Sequence, residues 1–247
     1  MKQFGKAIKS KWKLAVLIFS VGLITLSGCL KDDNNEMYQV SAVRALNAIP
    51  GSDHLDIGLN ESWLNYGLET GEVEDFAYRD TLPYKRAWPG TRVVRVFERG
   101  NITSNGLLAA QNVQFMPGMF YSLYVVGFPD DVELIRTEDD LSEPISGEAK
   151  IRFINLSPDA PALDLGVEGG DTLLTEDVAF KEEKGFSAIA VGETYTFHII
   201  DHASGEVVHS FEFRPDNKGV YTVWARGLLQ NDGNDEELGF GHELIVH

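Results

Sequence analysis

The chain has 247 residues, a formal net charge of −17 and a single cysteine. So acidic a surface repels phosphate backbones and offers no polybasic patch to anionic lipid, which argues against nucleic-acid binding and against purely electrostatic membrane attachment. One cysteine makes no intramolecular disulfide, and a chain of this length can fold on hydrophobic burial without such staples.

The first element in chain order is an export leader. Lys2, Lys6, Lys9, Lys11 and Lys13 make a basic start, residues 14–26 are apolar, and Leu26-Ser27-Gly28-Cys29 ends the run on small residues. A basic start, a short apolar core and a small-residue cut describe a secretory signal. The apolar run falls short of the roughly 20 residues that span a bilayer. Leu26-Ser27-Gly28-Cys29 also resembles the bacterial lipobox. The resemblance implies cleavage before Cys29 and acylation of its sulfur, so the thiol is an anchor and not a nucleophile. Without the five leader lysines the 21 basic residues fall to 16, against 38 acidic ones, a balance of −22.

Leu30-Lys31-Asp32-Asp33-Asn34-Asn35-Glu36 follows, with no apolar residue after Leu30. Such a stretch buries nothing and reads as a tether. Lys31, Asp32 and Asp33 resemble the surface-export signal of Bacteroidetes lipoproteins. That resemblance implies an outer-membrane lipoprotein whose folded part faces the exterior.

The rest of the chain repeats itself. Val43-Arg44-Ala45-Leu46-Asn47-Ala48-Ile49-Pro50 aligns without a gap on Ile151-Arg152-Phe153-Ile154-Asn155-Leu156-Ser157-Pro158. The register continues from Leu55-Asp56-Ile57-Gly58-Leu59 to Leu163-Asp164-Leu165-Gly166-Val167, and the closing segments 120–124 and 220–224 also match, each running on to a glycine, Gly127 or Gly227. Each copy is longer than a solenoid unit of about 20–50 residues, so the pattern is two tandem domains. Residues 194–200, 207–213 and 220–224 alternate apolar and polar positions and are rich in β-branched and aromatic residues, as are 92–97 and 120–126 in the first copy. Turn residues punctuate them, and no long helical spacing occurs. The expected fold is all-β: two tandem antiparallel β-sandwich domains, immunoglobulin- or transthyretin-like. The expected boundaries are a signal peptide at 1–28, a tether at 29–38, and sandwiches at 39–138 and 149–247 joined by a linker at 139–148. Each copy should hold its own core and fold as a fragment.

The opening of the second copy, Ile151 through Pro161 and then Leu163-Asp164-Leu165, resembles the start of the domain of unknown function 4397. Phe76, Tyr78, Pro89 and Gly90 in the first copy, and Phe180 and Gly192 in the second, keep further parts of its pattern. The second copy has Val191 in place of the proline, and in the first copy Ile49-Pro50-Gly51-Ser52-Asp53 replaces the Ser-Pro-Asp-Ala-Pro turn. The resemblance implies an exported β-sandwich, often tandem and often on lipoproteins, and no assigned reaction.

Catalytic and cofactor motifs do not emerge. The sequence has no Gly-x-Ser-x-Gly elbow and no His-Glu-x-x-His. The acid pairs Asp130-Asp131, Asp139-Asp140 and Glu182-Glu183 read as solvated surface charge. Ser157 and Asp159 read as turn residues that cap nearby backbone amides, with a binding role for Asp159 or Asp164 as the alternative. Residues 231–237 carry enough oxygens for a weak calcium site, with Asp232 and Asp235 as candidate ligands, though they lack the order of an EF-hand loop. Trp63, Tyr66, Trp88 and Trp224 could stack on sugar rings. Trp224 lies in a strand pattern that suits a core, whereas Trp63 and Tyr66 sit in a polar, Gly-rich stretch and are the better surface candidates. Three functions compete: a surface binding, adhesion or spacer module that takes a protein or glycan, a glycan-binding accessory lipoprotein, and, less favoured, a hydrolase.

Overall fold

The computed structural model describes residues 39–60, 62–67, 69–170, 173–231 and 235–247. Cys29, Lys31, Asp32, Asp33 and Asp232 lie outside the described residues. The first copy supplies β1 (Ser41–Asn47), β2 (Leu55–Leu59), β3 (Ser62–Trp63), β4 (Thr81–Ala87), β5 (Gly90–Glu98), β6 (Leu107–Phe115), β7 (Phe120–Phe128) and β8 (Asp131–Glu138). The second supplies β9 (Glu148–Asn155), β10 (Leu163–Val167), β11 (Thr175–Val178), β12 (Glu183–Ala190), β13 (Tyr195–Asp201), β14 (Val207–Phe213), β15 (Val220–Arg226) and β16 (Gly241–Val246). A 3₁₀ turn, Glu236–Leu238, precedes β16.

Each copy is a sandwich of two four-stranded sheets: β4-β1-β7-β8 over β3-β2-β5-β6, and β12-β9-β15-β16 over β11-β10-β13-β14. The repeat read from the sequence is also a repeat in register. Val43 sits opposite Tyr121 and Ile151 opposite Tyr221, so the copies superpose strand for strand. The pairing is not purely antiparallel. β1 runs parallel to β7, and β9 to β15. Parallel neighbours need a long crossover, and the chain supplies it between β1 and β7 and between β9 and β15, where β2, β3, β5 and β6, and β10, β11, β13 and β14, form the second sheet of each sandwich.

Each sandwich has its own core. Val43, Ile57, Phe76, Val94, Phe115 and Leu123 belong to the first, and Ile151, Phe153, Leu165, Phe197, Ile199 and Val223 to the second. A third cluster joins them. Leu46, Ala48, Tyr124 and Val126 of the first copy meet Ile154, Leu156, Trp224 and Ile245 of the second. Leu46, Tyr124, Val126, Ile154 and Trp224 lie on the other face of β1, β7, β9 and β15, since successive residues of a strand alternate faces, while Ala48 and Leu156 follow β1 and β9 and Ile245 is on β16. The two central sheets are therefore covered on both sides, which makes β7 and β15 buried almost throughout. The repeat alignment did not show this seam.

Polar groups cross the seam as well. Arg152 and Asp139 side chains are fully buried there and 2.6 Å apart. Asp139 is thus not solvated surface charge as its sequence context suggested. Equivalent positions make matching contacts. Arg44 lies over the Tyr84 ring and Arg152 over the Phe186 ring, each at 4.7 Å. The Tyr84 hydroxyl donates to Asp139, while Phe186 meets the His247 ring edge-on. Asp139 and His247 each follow the last strand of their copy. Such reciprocity is what two-fold packing of like surfaces produces. The Arg79–Glu243 and Lys181–Glu133 pairs add ionic contacts across the rim of the seam.

The repeated residues of the opening turn are structural. Asn47 accepts a hydrogen bond from Ile49 N–H and donates to the Phe76 carbonyl; Asn155 accepts from Ser157 N–H and donates to the Val178 carbonyl. Asp159 accepts from Leu229 and Gln230 N–H, tying the turn to the segment after β15. Asp56 accepts from Gly100 N–H and Asp164 from Asp177 N–H. Gly127 and Gly227 have φ of +103° and +75°, and a Cβ on either would come within 2.2 Å of a carbonyl oxygen, of Asp131 and Gly239 respectively. That close approach is why both copies have glycine at this point.

Candidate functional site: an aromatic groove on the first sandwich

Along one edge of the first sandwich the chain crosses from β4 to β5, and the short β3 leaves the sheets unequal in width. A groove of about 920 Å³ opens there. Trp63, Tyr66, Tyr84 and Trp88 contribute to its wall, with Leu59, Leu64 and Ala87 behind and Lys85, Arg86 and Arg92 beside them. Two of the rings, Trp63 and Tyr66, are those favoured from sequence.

Each ring has an identifiable support. Trp63 pairs with Gly58 across β2 and β3, and its ring lies 3.5 Å from where a Gly58 Cβ would be. The Phe97 ring braces it edge-on at 5.9 Å. Asn65 is fully buried between Trp63 and Tyr66. It accepts from Ile57 N–H and donates to Asp56 Oδ1 at 3.0 Å, which fixes the 62–66 segment on the sheet. Lys85 Nζ donates to the Tyr66 carbonyl at 2.8 Å and pairs with Glu74 at 3.1 Å. Arg92 donates from Nε to the Trp88 carbonyl and from Nη2 to the Pro89 carbonyl, so the turn carrying Trp88 is held from within. Trp88 is 62% exposed and Tyr66 38%.

Tyr84 connects the groove to the seam. Its hydroxyl donates to Asp139 Oδ2 at 2.7 Å and lies 2.9 Å from His247 Nδ1. Burial, then the neighbouring Asp139 charge, pushes the phenol well above its ordinary range. It is a fixed neutral hydroxyl, not an acid–base group.

Among the described residues the second copy does not reproduce the aromatic wall. Leu173 stands against Gly166 where Trp63 stands against Gly58, and Ala190 occupies the position of Trp88. The aromatic wall is therefore a property of one copy, not of the fold. Trp224, by contrast, is 1% exposed and belongs to the seam.

Other clusters have less to offer. Asp235 accepts from Glu237 N–H and caps the 3₁₀ turn. Among the described residues no three His, Cys, Asp or Glu side chains converge as a metal site would require. His198 meets Ser210 at 2.8 Å on β13 and β14, and His202 meets Asp164 at 2.9 Å, but these are separate pairs and make no triad. His209 Nε2 and His242 Nδ1 lie 2.9 Å apart, a contact not legible from their spacing, and His242 stacks on Phe211 at 3.7 Å. Burial, then its His209 neighbour, pulls His242 down to about 4. Among the described lining residues no two titratable groups are paired for proton transfer.

The model of the domain of unknown function DUF4397 matches residues 41–166, from β1 into β10, and includes the Asn155–Pro161 turn. The chain belongs to this family. The DUF4397 match covers the whole first sandwich and the opening of the second. No curated protein sequence matches the chain. Similar solved structures include an alpha-glucan-binding streptococcal virulence factor, at 11% identity over 76% of this chain and 92% of that one, TM-score 0.25. A family 26 carbohydrate-binding module of Eubacterium rectale, in complex with maltoheptaose, is similar at 8% identity over 84% and 96%, TM-score 0.26. A fimbrial anchor protein of Porphyromonas gingivalis is similar at 7% identity over 84% and 97%, TM-score 0.21. Scores this low carry no argument about a ligand.

Proposed function

We propose that the chain is a non-catalytic, lipid-anchored cell-envelope protein that binds a glycan chain in the groove of its first sandwich. One observation carries the reading: four aromatic side chains, two of them well exposed, line one open groove with no acid–base pair among its described lining residues. Sugar rings present apolar C–H faces that stack on aromatic planes, and a groove accepts a chain where a closed pocket takes a small molecule. The reading favours the glycan alternative over a spacer, because a spacer has no use for exposed tryptophan. Cys29 supplies the anchor in this proposal, and Lys31, Asp32 and Asp33 address the protein to the outside of the outer membrane. The domain limits are 39–138 and 149–247.

A panel of immobilised polysaccharides and affinity electrophoresis test the reading. Binding to at least one polysaccharide is expected, with a loss of tenfold or more on Trp88→Ala or Tyr66→Ala, both exposed and away from the core. Retention by no glycan, or retention that ignores both substitutions, would remove the reading.

A further inference from the structure

We infer that the groove selects an anionic polysaccharide, one whose sugars carry carboxylate or sulfate groups. The inference rests on the glycan reading and deepens it. Three cations line the groove, Lys85, Arg86 and Arg92, and no carboxylate is among the described lining residues. That is an unusual local balance on a chain with 38 acidic residues against 21 basic ones.

The three cations are not equivalent. Lys85 is neutralised by Glu74 and half-hidden behind Tyr66. Arg92 is held by two backbone carbonyls, which orient its guanidinium without matching its charge. Arg86 is exposed on β4, two residues before Trp88, and makes no hydrogen bond or ion pair among the described residues. A guanidinium accepts carboxylate or sulfate oxygens through parallel N–H donors, so Arg86 and Arg92 are placed to read charge while the rings beside them read the sugar face. On a chain of net charge −17, a groove lined by cations with no carboxylate among its described lining residues is a place where a polyanion finds matching charge. The second copy lacks the arrangement: the positions of Lys85 and Arg86 are Ser187 and Ala188.

The test uses the purified full-length protein and three probes: polygalacturonate for carboxylate, dextran sulfate for sulfate, and unmodified dextran as the neutral chain. Binding to one of the charged chains is expected to be at least tenfold tighter than to dextran and to weaken between 50 and roughly 300 mM salt. Arg86→Gln should abolish that preference with the melting temperature unchanged, while Trp88→Ala should weaken binding to every chain that binds. Equal or tighter binding to dextran overturns the charge selection and leaves the glycan reading standing. Charge-preferring binding that Arg86→Gln leaves intact also overturns it, placing the anion contact elsewhere on the surface. Binding to none of the three chains, with no other polysaccharide retained, overturns both.

Discussion

Arg152 donates to Asp139 Oδ1 at 2.6 Å, and neither side chain reaches solvent. The two residues come from different copies and are 13 positions apart in sequence. Arg152 also donates to Thr222 and to the Tyr124 hydroxyl, while Asp139 accepts from Ser122 and Tyr84. The pair is thus the centre of a hydrogen-bonded network closed on all sides by the seam. A buried ion pair is costly to break because the survivor is left charged and dry. Arg152→Ala should therefore lower stability by about 3–5 kcal/mol, on the order of 10 °C in melting temperature. The double variant Arg152→Met, Asp139→Leu should be more stable than either single variant, since it leaves no unpaired charge. Urea titration of the four proteins closes the cycle; additive losses would mean the pair does not act as a unit.

The seam should also set the cooperativity of unfolding. Trp224, Tyr124, Leu46 and Ile154 are buried only because the copies meet. The mature chain should melt in one calorimetric transition, and Trp224→Ala should cost about 3–5 kcal/mol. Fragments 36–142 and 146–247 keep their own cores and should remain β-rich, but each should melt well below the joined chain. Two separate transitions in the joined chain would show that the seam contributes little.

Acid should weaken the protein before its carboxylates protonate. Burial, its largest cause, holds His247 at about 4 although Asp139 pulls the other way, and burial with the His209 contact holds His242 at about 4. An unfolded imidazole titrates near 6.5, so between about pH 6.5 and 4 the unfolded chain binds more protons and stability falls as pH falls. The slope approaches about 1.4 kcal/mol per pH unit for each imidazole kept neutral in the fold. His202 has the opposite sign: Asp164 raises it, so its contribution is present below the unfolded value and is lost as pH rises through the folded one. Denaturation at pH 7, 5.5 and 4.5 reads the balance. His242→Leu should flatten the acid limb, and an unchanged slope would remove His242 from the account.

The anchor prediction concerns a single atom. Cys29→Ser removes the sulfur that carries the lipid in the proposed anchor. Labelling with a fatty-acid probe should then vanish, with the protein left as an uncut precursor or released. Undiminished labelling of the serine variant would show that acylation, where it occurs, is not at Cys29.

Display is separable from anchoring. Replacing Lys31, Asp32 and Asp33 together by alanine should leave the protein in the outer membrane but facing inward. Protease added to intact cells should digest the native form and spare the variant. Equal digestion would reduce the three charges to a plain tether.

How much of this is legible in the residues depends on range. Alternation along a strand, turn residues and the ungapped match of 43–50 to 151–158 are local or periodic, and they determined the all-β class, the tandem copies and the glycines near the ends of β7 and β15. The roles of Asn47, Asn155 and Asp159 as backbone caps follow from short side chains beside turns, and were also within reach of the sequence. Trp63 and Tyr66 stood out because large rings in a polar, glycine-rich stretch have no local reason to be there. Partnership across the fold was not legible. Asp139 looked like half of a surface acid pair, and only the packing of one central sheet on the other placed Arg152 against it. The run of buried positions in β7 allowed a second covering layer without naming what covers it. Arg86 became a candidate only once β4 set it beside Trp88 with no acid paired to it among the described residues, because neutralisation of a charge depends on neighbours in space, and sequence separation says nothing about them.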